Sequence, residues 1–164
     1  MWYYKNKEFK LEDYPNESLV GFVYQITELD TNKKYIGKKL FYFNRKKKIK
    51  GSTRNRRVIV ESDWKSYYGS NKKFQLMVEE KGFKNFHREI LKICRSKGEC
   101  SYWETKLQFD NNVLFSDEYY NQIIHCRISS NHVSKESILW HTQEEKAAES
   151  ISTVYHPEAT SISR

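Results

Sequence analysis

The chain has 164 residues, of which 38% are hydrophobic and 15% aromatic, and its 29 Lys and Arg outnumber its 21 Asp and Glu to give a formal net charge of +8. This length suits one domain with a core of its own, and so high an aromatic content excludes a wholly disordered chain. The positive balance favours polyanionic partners, of which nucleic acid is the first to consider.

Two features of the sequence bear on the compartment in which the protein acts. Its cysteines, Cys94, Cys100 and Cys126, are odd in number and lack C-x-x-C spacing, which favours a reducing cytoplasm over a secreted disulfide framework. The N-terminus lacks the apolar region of a signal peptide, and no stretch approaches the roughly 18 apolar residues of a membrane span. We therefore expect a cytoplasmic protein with no membrane partner.

The first part of the chain predicts an arm followed by a β-hairpin. Residues 1–18 are polar and aromatic and contain Pro15, so we expect them to form an N-terminal arm. Residues 19–29, LVGFVYQITEL, are rich in β-branched and aromatic types with a two-residue alternation, which predicts a strand. A turn cluster at 30–32 follows, and residues 33–38, KKYIGK, return as a second strand.

A basic segment comes next. Twelve Lys and Arg lie from Lys33 to Arg57, and no Asp or Glu occurs from Thr31 to Val60. We expect residues 39–60 to form a short helix and then a basic loop. Such a run is usually a solvated surface, and the alternative is a surface that binds phosphates.

Helical and extended patterns alternate in the next part of the chain. A helix is predicted after Ser70, a candidate N-cap, because Phe74, Met77 and Val78 have helical spacing and Gly82 follows the last turn.

Three more elements and a tail complete the prediction. Residues 86–94, FHREILKIC, predict a third strand, residues 99–110 a second amphipathic helix, and residues 118–128 a short extended segment. The Ser-rich residues 129–164 are expected to form a tail that is partly helical or disordered. Together these elements predict an α+β fold in which a small antiparallel sheet of about three strands is flanked by helices.

Two tripeptides on the predicted hairpin carry a resemblance to a known family. FVY at 22–24 and YIG at 35–37, separated by a short turn, resemble the paired signature of the GIY-YIG nuclease superfamily. The first position departs from that signature, because it is Phe22 rather than glycine, with Gly21 just before it.

Later motifs follow in the order that the family has. Arg45 lies at the position of the family's helical arginine, Glu104 in YWETKLQF at that of its metal-binding glutamate, and Asn121 in YYNQ at that of its closing asparagine. Over residues 19–128 the chain also looks like the phage-type endonucleases of the Seg group, through GFVYQIT, KYIGKK, ESDWKSYYGS, FHREIL and YYN.

The resemblance implies a metal-dependent endonuclease that hydrolyses phosphodiester bonds of double-stranded DNA, in the cytoplasm of the host cell if it is phage-encoded. Glu104 would hold Mg²⁺ or Mn²⁺, because Mg²⁺ keeps several waters and needs few protein ligands. Arg45 would contact phosphate oxygens through its permanent charge, with Arg54, Arg56 and Arg57 as alternatives for this role.

The resemblance also implies roles for the two tyrosines. Tyr24 would be the general base and Tyr35 would orient the attacking water or a phosphate oxygen, with Asn121 holding these groups by hydrogen bonds. A phenol titrates near ~10, so nearby cations such as Lys38, Lys39 and the metal would have to favour the phenolate.

Affinity for DNA is expected to come from the cations of the basic segment. They are Lys38, Lys39, Lys46, Lys47, Lys48, Arg54, Arg56 and Arg57. Because the tail is short and not basic, we expect modest sequence specificity, while the target sequence and the oligomeric state are left open.

Each of these residues also has an ordinary interpretation. A tyrosine in a hairpin usually packs in a core, and a lone glutamate on a helix is usually solvated. The alternative function is therefore a catalytically silent nucleic-acid-binding module on the same fold, and a third is a protein directed to RNA. Trp64, Tyr67 and Tyr68 are expected to cover the core, with stacking on bases as the alternative.

Overall fold

The computed structural model of the protein describes residues 1–15, 17–48, 55–136, 138 and 139. Its strands and helices, in chain order, are β1 (Tyr3–Tyr4), β2 (Lys7–Glu8), β3 (Gly21–Glu28), β4 (Lys34–Leu40), β5 (Tyr42–Lys48), β6 (Asn55–Glu61), α1 (Lys72–Lys81), β7 (Phe86–Cys94) and α2 (Lys97–Asp110).

A five-stranded sheet with the order β2-β1-β7-β3-β4 forms the centre of the fold. The three long strands, β7, β3 and β4, are antiparallel to one another, and the two-residue β1 runs parallel to β7. The predicted α+β fold with a small antiparallel sheet flanked by helices is confirmed, and the three predicted strands are β3, β4 and β7.

The alternation of β3 divides the interior into two cores. Phe22, Tyr24 and Ile26 face one side of the sheet, while Val23 faces the other. The α1-side core contains those three residues with Phe74 and Val78 of α1 and the aromatic side chains Trp2, Phe9, Tyr35, Phe41, Trp64 and Phe86. The α2-side core contains Val23, Ile36, Cys94, Cys100, Trp103 and Val113.

The N-terminal residues are part of this domain rather than the expected arm. Trp2 is 2% exposed, and its indole N–H donates to the Trp64 carbonyl oxygen at 2.7 Å. Phe9 is also buried and stacks on Phe41, with 5.9 Å between ring centroids. Because burial of two large aromatic side chains is strongly favourable, it fixes residues 1–9 against the α1-side core.

The expected short helix and loop at residues 39–60 is wrong for the described residues, and residues 49–54 of the expected loop lie outside them. The described part of this segment forms β5 and β6, which pair with each other in a separate two-stranded sheet that we call the basic ribbon. The run Val58–Val60 consists of β-branched residues, which favour extended backbone.

Both predicted helices are present, with shifted starts. α1 is capped by Asn71 rather than Ser70, because the Asn71 side-chain oxygen accepts the backbone N–H groups of Lys73 and Phe74. α2 begins two residues earlier than expected, because Ser96 Oγ accepts the Glu99 N–H at 3.0 Å.

The segment after α2 contains little regular structure in its described part. The expected extended segment at 118–128 makes one isolated bridge, between Tyr119 and Lys34. A 3-10 turn spans Ser130–His132, and residues 140–164 of the expected tail lie outside the described residues. No helix of the described residues is long and apolar enough to cross a membrane.

Glu28, the last residue of β3, is a fully buried carboxylate. It accepts hydrogen bonds from the Lys81 ammonium and from the hydroxyls of Thr31 and Tyr120, so it joins β3 to the end of α1 and to the segment after α2. Burial by itself would raise the pKa of Glu28, but these hydrogen bonds, with that from Lys81 the largest, lower it from 4.5 to about 2.

Acid should therefore destabilise the protein through Glu28. Its folded-state pKa is lower than its unfolded-state pKa, so the stabilisation is complete above about pH 4.5 and is lost as the pH falls towards about 2. Glu28→Gln should lower the free energy of unfolding at pH 7 by roughly 3 kcal/mol and flatten its decline below about pH 5. Denaturant titrations across this range test the expectation, with the exposed Glu80→Gln as control. A Glu28→Gln variant with the wild-type decline would contradict it.

Candidate active site

The two tyrosines singled out in the sequence lie together on the α1 side of the sheet. Tyr24 on β3 and Tyr35 on β4 have ring centroids 6.4 Å apart. A third tyrosine, Tyr67, packs edge-on against Tyr24 at 6.0 Å. The Tyr24 phenol lies within interaction distance of Tyr67, and Ser70 lies within interaction distance of both Tyr35 and Tyr67. Tyr67 was expected only to cover the core, and its spacing in the sequence carries no sign of this contact.

Gly37 explains how the Tyr24 phenol is accommodated. In the β3–β4 register Tyr24 lies opposite Gly37. A Cβ atom added at Gly37 would lie 2.5 Å from the Tyr24 hydroxyl oxygen and 2.8 Å from the ring carbon that bears it. The glycine of the YIG motif is therefore required because the phenol of the first motif occupies the space of its side chain.

Burial keeps these phenols protonated. Tyr24 is 1% exposed, and burial, followed by the nearby Tyr67, Tyr35 and Glu104, raises its pKa well above the ordinary value of 10. Burial also raises the pKa of Tyr35, against the lowering effect of the nearby Ser70. The expectation that cations of the protein favour the phenolate is therefore wrong for the protein alone.

Two lysines that were expected to favour the phenolate are paired with carboxylates instead. Lys38 Nζ lies 2.8 Å from Glu104 Oε2, and Lys39 Nζ lies 2.7 Å from Asp63 Oδ1. Lys39 is also buried, with its ammonium 3.5 Å from the centroid of the Tyr67 ring. Lys39 is therefore an interior residue and not part of a DNA-binding surface.

Glu104 lies on α2, next to the buried Trp103, and its side chain is 15% exposed. Its charge contributes to raising the pKa of both Tyr24 and Tyr35, which places the carboxylate within electrostatic reach of both phenols. Among the described residues no group of three or more His, Cys, Asp or Glu side chains is arranged to hold a metal ion. One partly exposed carboxylate fits a Mg²⁺ ion that retains most of its waters, and the cation that Glu104 faces in the structure is the Lys38 ammonium.

Asn121 fixes the strand that carries Tyr35. Its side-chain oxygen accepts the Ile36 N–H at 2.9 Å, and its side-chain N–H donates to the Ile36 carbonyl oxygen at 2.7 Å. Gln108 of α2 donates to the same carbonyl at 3.1 Å. Asn121 thus holds the backbone between Tyr35 and Gly37, an arrangement that suits a positioning residue.

The structure does not bring the expected arginine into the tyrosine cluster. Arg45 is exposed on β5, opposite Val58, whereas both phenols are buried. The alternatives Arg56 and Arg57 are exposed on β6, and Arg54 lies outside the described residues.

An arginine that the sequence analysis did not single out lies on the same side of the sheet as the tyrosines. Arg88 of β7 is 4% exposed, and its guanidinium lies over the rings of Trp2 and Tyr68. It donates to the carbonyl oxygens of Lys65 and Tyr67, both at 3.1 Å. Arg88 therefore fixes the chain that presents Tyr67 to Tyr24.

A cleft of about 280 Å³ gives the cluster an opening to solvent. Tyr35 lines it together with Ser70, the first residues of α1 and the segment from Asn121 to His125. Tyr24 and Tyr35 thus differ in accessibility, because only Tyr35 contributes to the wall of the cleft.

A family model described as "Putative endonuclease segE, GIY-YIG domain" matches residues 2–124, which are 123 of the 164 residues. The match includes the N-terminal strands as well as the segment after α2, in agreement with the extent of the fold. No curated protein and no solved structure matches the chain significantly.

The contact between Tyr24 and Gly37 can be tested by a double-mutant cycle. Gly37→Ala places a methyl group against the Tyr24 hydroxyl and should lower the free energy of unfolding by about 1–3 kcal/mol. In a Tyr24→Phe background the same change should cost less, because the closest oxygen is gone. Thermal and denaturant unfolding of the four proteins measure this, and additive effects would show that the two residues do not interact as described.

Proposed function

The chain belongs to this segE-type GIY-YIG family, and we propose that it is an endonuclease that hydrolyses phosphodiester bonds of double-stranded DNA with a divalent metal ion. The observation that carries the proposal is that Tyr24 and Tyr35 lie together beside Gly37 on neighbouring strands, with the Glu104 carboxylate of α2 near enough for its charge to raise the pKa of both phenols.

We assign the contact with the attacking water to Tyr35. Its ring lines the cleft, whereas Tyr24 is closed off by Gly37 and Tyr67. This exchanges the roles implied by the resemblance. Tyr24 packs against Tyr67 and stabilises the hairpin, whereas the Tyr35 oxygen orients the water and is the candidate proton acceptor. The negative charge of Glu104 opposes loss of the Tyr35 proton, so a cation at Glu104 would lower that barrier.

Glu104 is the residue that would hold Mg²⁺ or Mn²⁺. When bound there, the ion would stabilise negative charge on the phosphate and on the leaving oxygen. Lys38, on the strand of Tyr35 and in contact with Glu104, is the cation whose position best supports a contact with a phosphate oxygen. The position of Arg45 on an exposed strand does not support that role for it.

DNA affinity is assigned to the exposed cations of the basic ribbon. Lys46, Lys47, Lys48, Arg56 and Arg57 are all exposed. They provide the sequence-independent attraction to phosphates that a nuclease of modest specificity requires.

Cleavage should depend on Glu104 and on a divalent ion. Glu104→Gln preserves shape but removes the charge, so nicking of supercoiled plasmid with Mg²⁺ or Mn²⁺ should fall about 100-fold or more. EDTA should abolish nicking by the wild-type protein. Asp110→Asn, which removes an exposed carboxylate from the same helix, is the matched control and should cut at the wild-type rate. If the wild-type protein binds duplex DNA but does not cut it with any divalent ion, the catalytically silent binding module is favoured.

The assignment of the tyrosines has its own test. Tyr35→Phe should slow cleavage about 100-fold or more without weakening binding, because it removes the oxygen that contacts the water. Tyr24→Phe should slow it less and should also lower stability, because the interaction of its hydroxyl with Tyr67 is lost. Tyr119→Phe, which removes a surface hydrogen bond to Asn111, is the control. The assignment fails if Tyr35→Phe cuts at the wild-type rate.

A further inference from the structure

The basic ribbon has no core of its own. Of the fourteen residues of β5 and β6, only Phe43 and Val58 are partly buried and the others are exposed. A two-stranded sheet with solvent on both faces is marginally stable by itself. Within the described residues, the ribbon therefore gains little stability from packing.

The charges of the ribbon are arranged unfavourably for an isolated hairpin. Lys46 lies directly opposite Arg57, and Lys47 lies directly opposite Arg56. Like charges at directly opposite positions destabilise a strand pair. The sequence from Thr31 to Val60 contains no Asp or Glu to compensate them.

These two pairs lie on opposite faces of the ribbon. Successive residues of a strand alternate between faces, so the Lys46–Arg57 pair and the Lys47–Arg56 pair point in opposite directions. Lys48 lies on the same face as Lys46, and Arg45 lies on the same face as Lys47. The ribbon thus presents positive charge on both sides, which fits a partner that surrounds it with negative charge.

The base of the ribbon is fixed to the strand of the candidate active site. Phe41, between β4 and β5, is 0% exposed in the α1-side core. Ser62, just after β6, donates its N–H to the Phe41 carbonyl oxygen at 2.8 Å and its hydroxyl to the Leu40 carbonyl oxygen at 2.6 Å. Both strands of the ribbon are therefore anchored at the end of β4.

We propose that the basic ribbon enters the major groove of B-form DNA, with its two basic faces against the two phosphate backbones that border the groove. The proposal rests on the proposed function for the choice of nucleic acid as partner. The major groove of B-DNA, about 12 Å wide, admits a two-stranded ribbon, whereas that of A-form RNA is too narrow for side chains to reach the bases. A single strand offers only one row of phosphates.

The geometry also limits where the ribbon binds relative to the cut. Lys46 follows Tyr35 by 11 residues, which span at most about 40 Å when fully extended. One turn of B-DNA is about 34 Å. The ribbon therefore occupies the groove within roughly one turn of the bond that is cleaved at the tyrosine cluster.

The test measures binding of the full chain in EDTA to a DNA duplex, an RNA duplex of the same sequence and the single DNA strands. The variants are Lys46→Glu and Lys47→Glu, each of which creates an ion pair with the arginine opposite it and so preserves the ribbon. Lys84→Glu, the same change at an exposed lysine before β7, is the matched control.

Each ribbon variant should weaken binding to the DNA duplex about 10-fold and reduce the slope of log affinity against log salt by about 1, while Lys84→Glu retains wild-type affinity. The wild-type protein should bind the RNA duplex and the single strands at least about 10-fold more weakly than the DNA duplex. It should also protect guanine N7, a major-groove atom, from dimethyl sulfate.

Equal affinity for DNA and RNA duplexes, unprotected guanine N7, or ribbon variants with wild-type affinity would each overturn the proposal. If the protein protects guanine N7 but does not cleave DNA with any divalent ion tested, the proposed role of the ribbon is supported and the endonuclease function is refuted. Cleavage at the wild-type rate by both ribbon variants, at DNA concentrations below saturation, would refute the ribbon's role and leave the endonuclease standing.

Discussion

The register between β3 and β4 is the constraint on which the candidate site depends. It places Tyr24 opposite Gly37, so the phenol of one strand occupies the space left by the glycine of the other. A slip of one residue would turn every side chain of the strand to the other face of the sheet and put a side chain where the phenol lies. Asn121 and Gln108 hold this register by binding the Ile36 peptide from outside the hairpin.

Around that hairpin the charged groups are arranged in pairs. Glu104 faces Lys38, and Asp63 faces Lys39, whose ammonium lies on the Tyr67 ring. Paired in this way, charges can remain near a buried aromatic cluster at a tolerable desolvation cost. The pairing also means that a phosphate or a metal ion would have to compete with an existing partner, which links binding of one ligand to release of a protein side chain.

The sequence was most informative where local pattern and burial agree. The alternation of β3, the YIG return strand, the run FHREILKIC and helix α1, apart from its cap, each follow from rules that act within a dozen residues. The contact between Tyr24 and Tyr35 follows from the same hairpin, while a site that they share with Glu104 stays a prediction. The family match confirms the resemblance, while the catalytic roles of these residues stay predictions.

What the sequence did not indicate depends on contacts between distant parts of the chain. Residues 1–18 have the sequence pattern of an arm, and only the contacts of Trp2 with Trp64 and of Phe9 with Phe41 show that the segment packs on the core. Tyr67 and Arg88 owe their positions to the tertiary fold, and no local pattern marks either one. The basic ribbon was mistaken for a helix and loop because its pairing partner lies beyond a segment with no clear strand alternation.

Phe41 has a mechanical consequence. It is the single residue between β4 and β5, it is buried, and Ser62 after β6 donates hydrogen bonds to its carbonyl oxygen and to that of Leu40. Because only Phe41 separates β4 from β5, a movement of the ribbon is coupled directly to the strand that bears Tyr35. A displacement at the base of the ribbon would therefore reach the strand of Tyr35 through the buried Phe41.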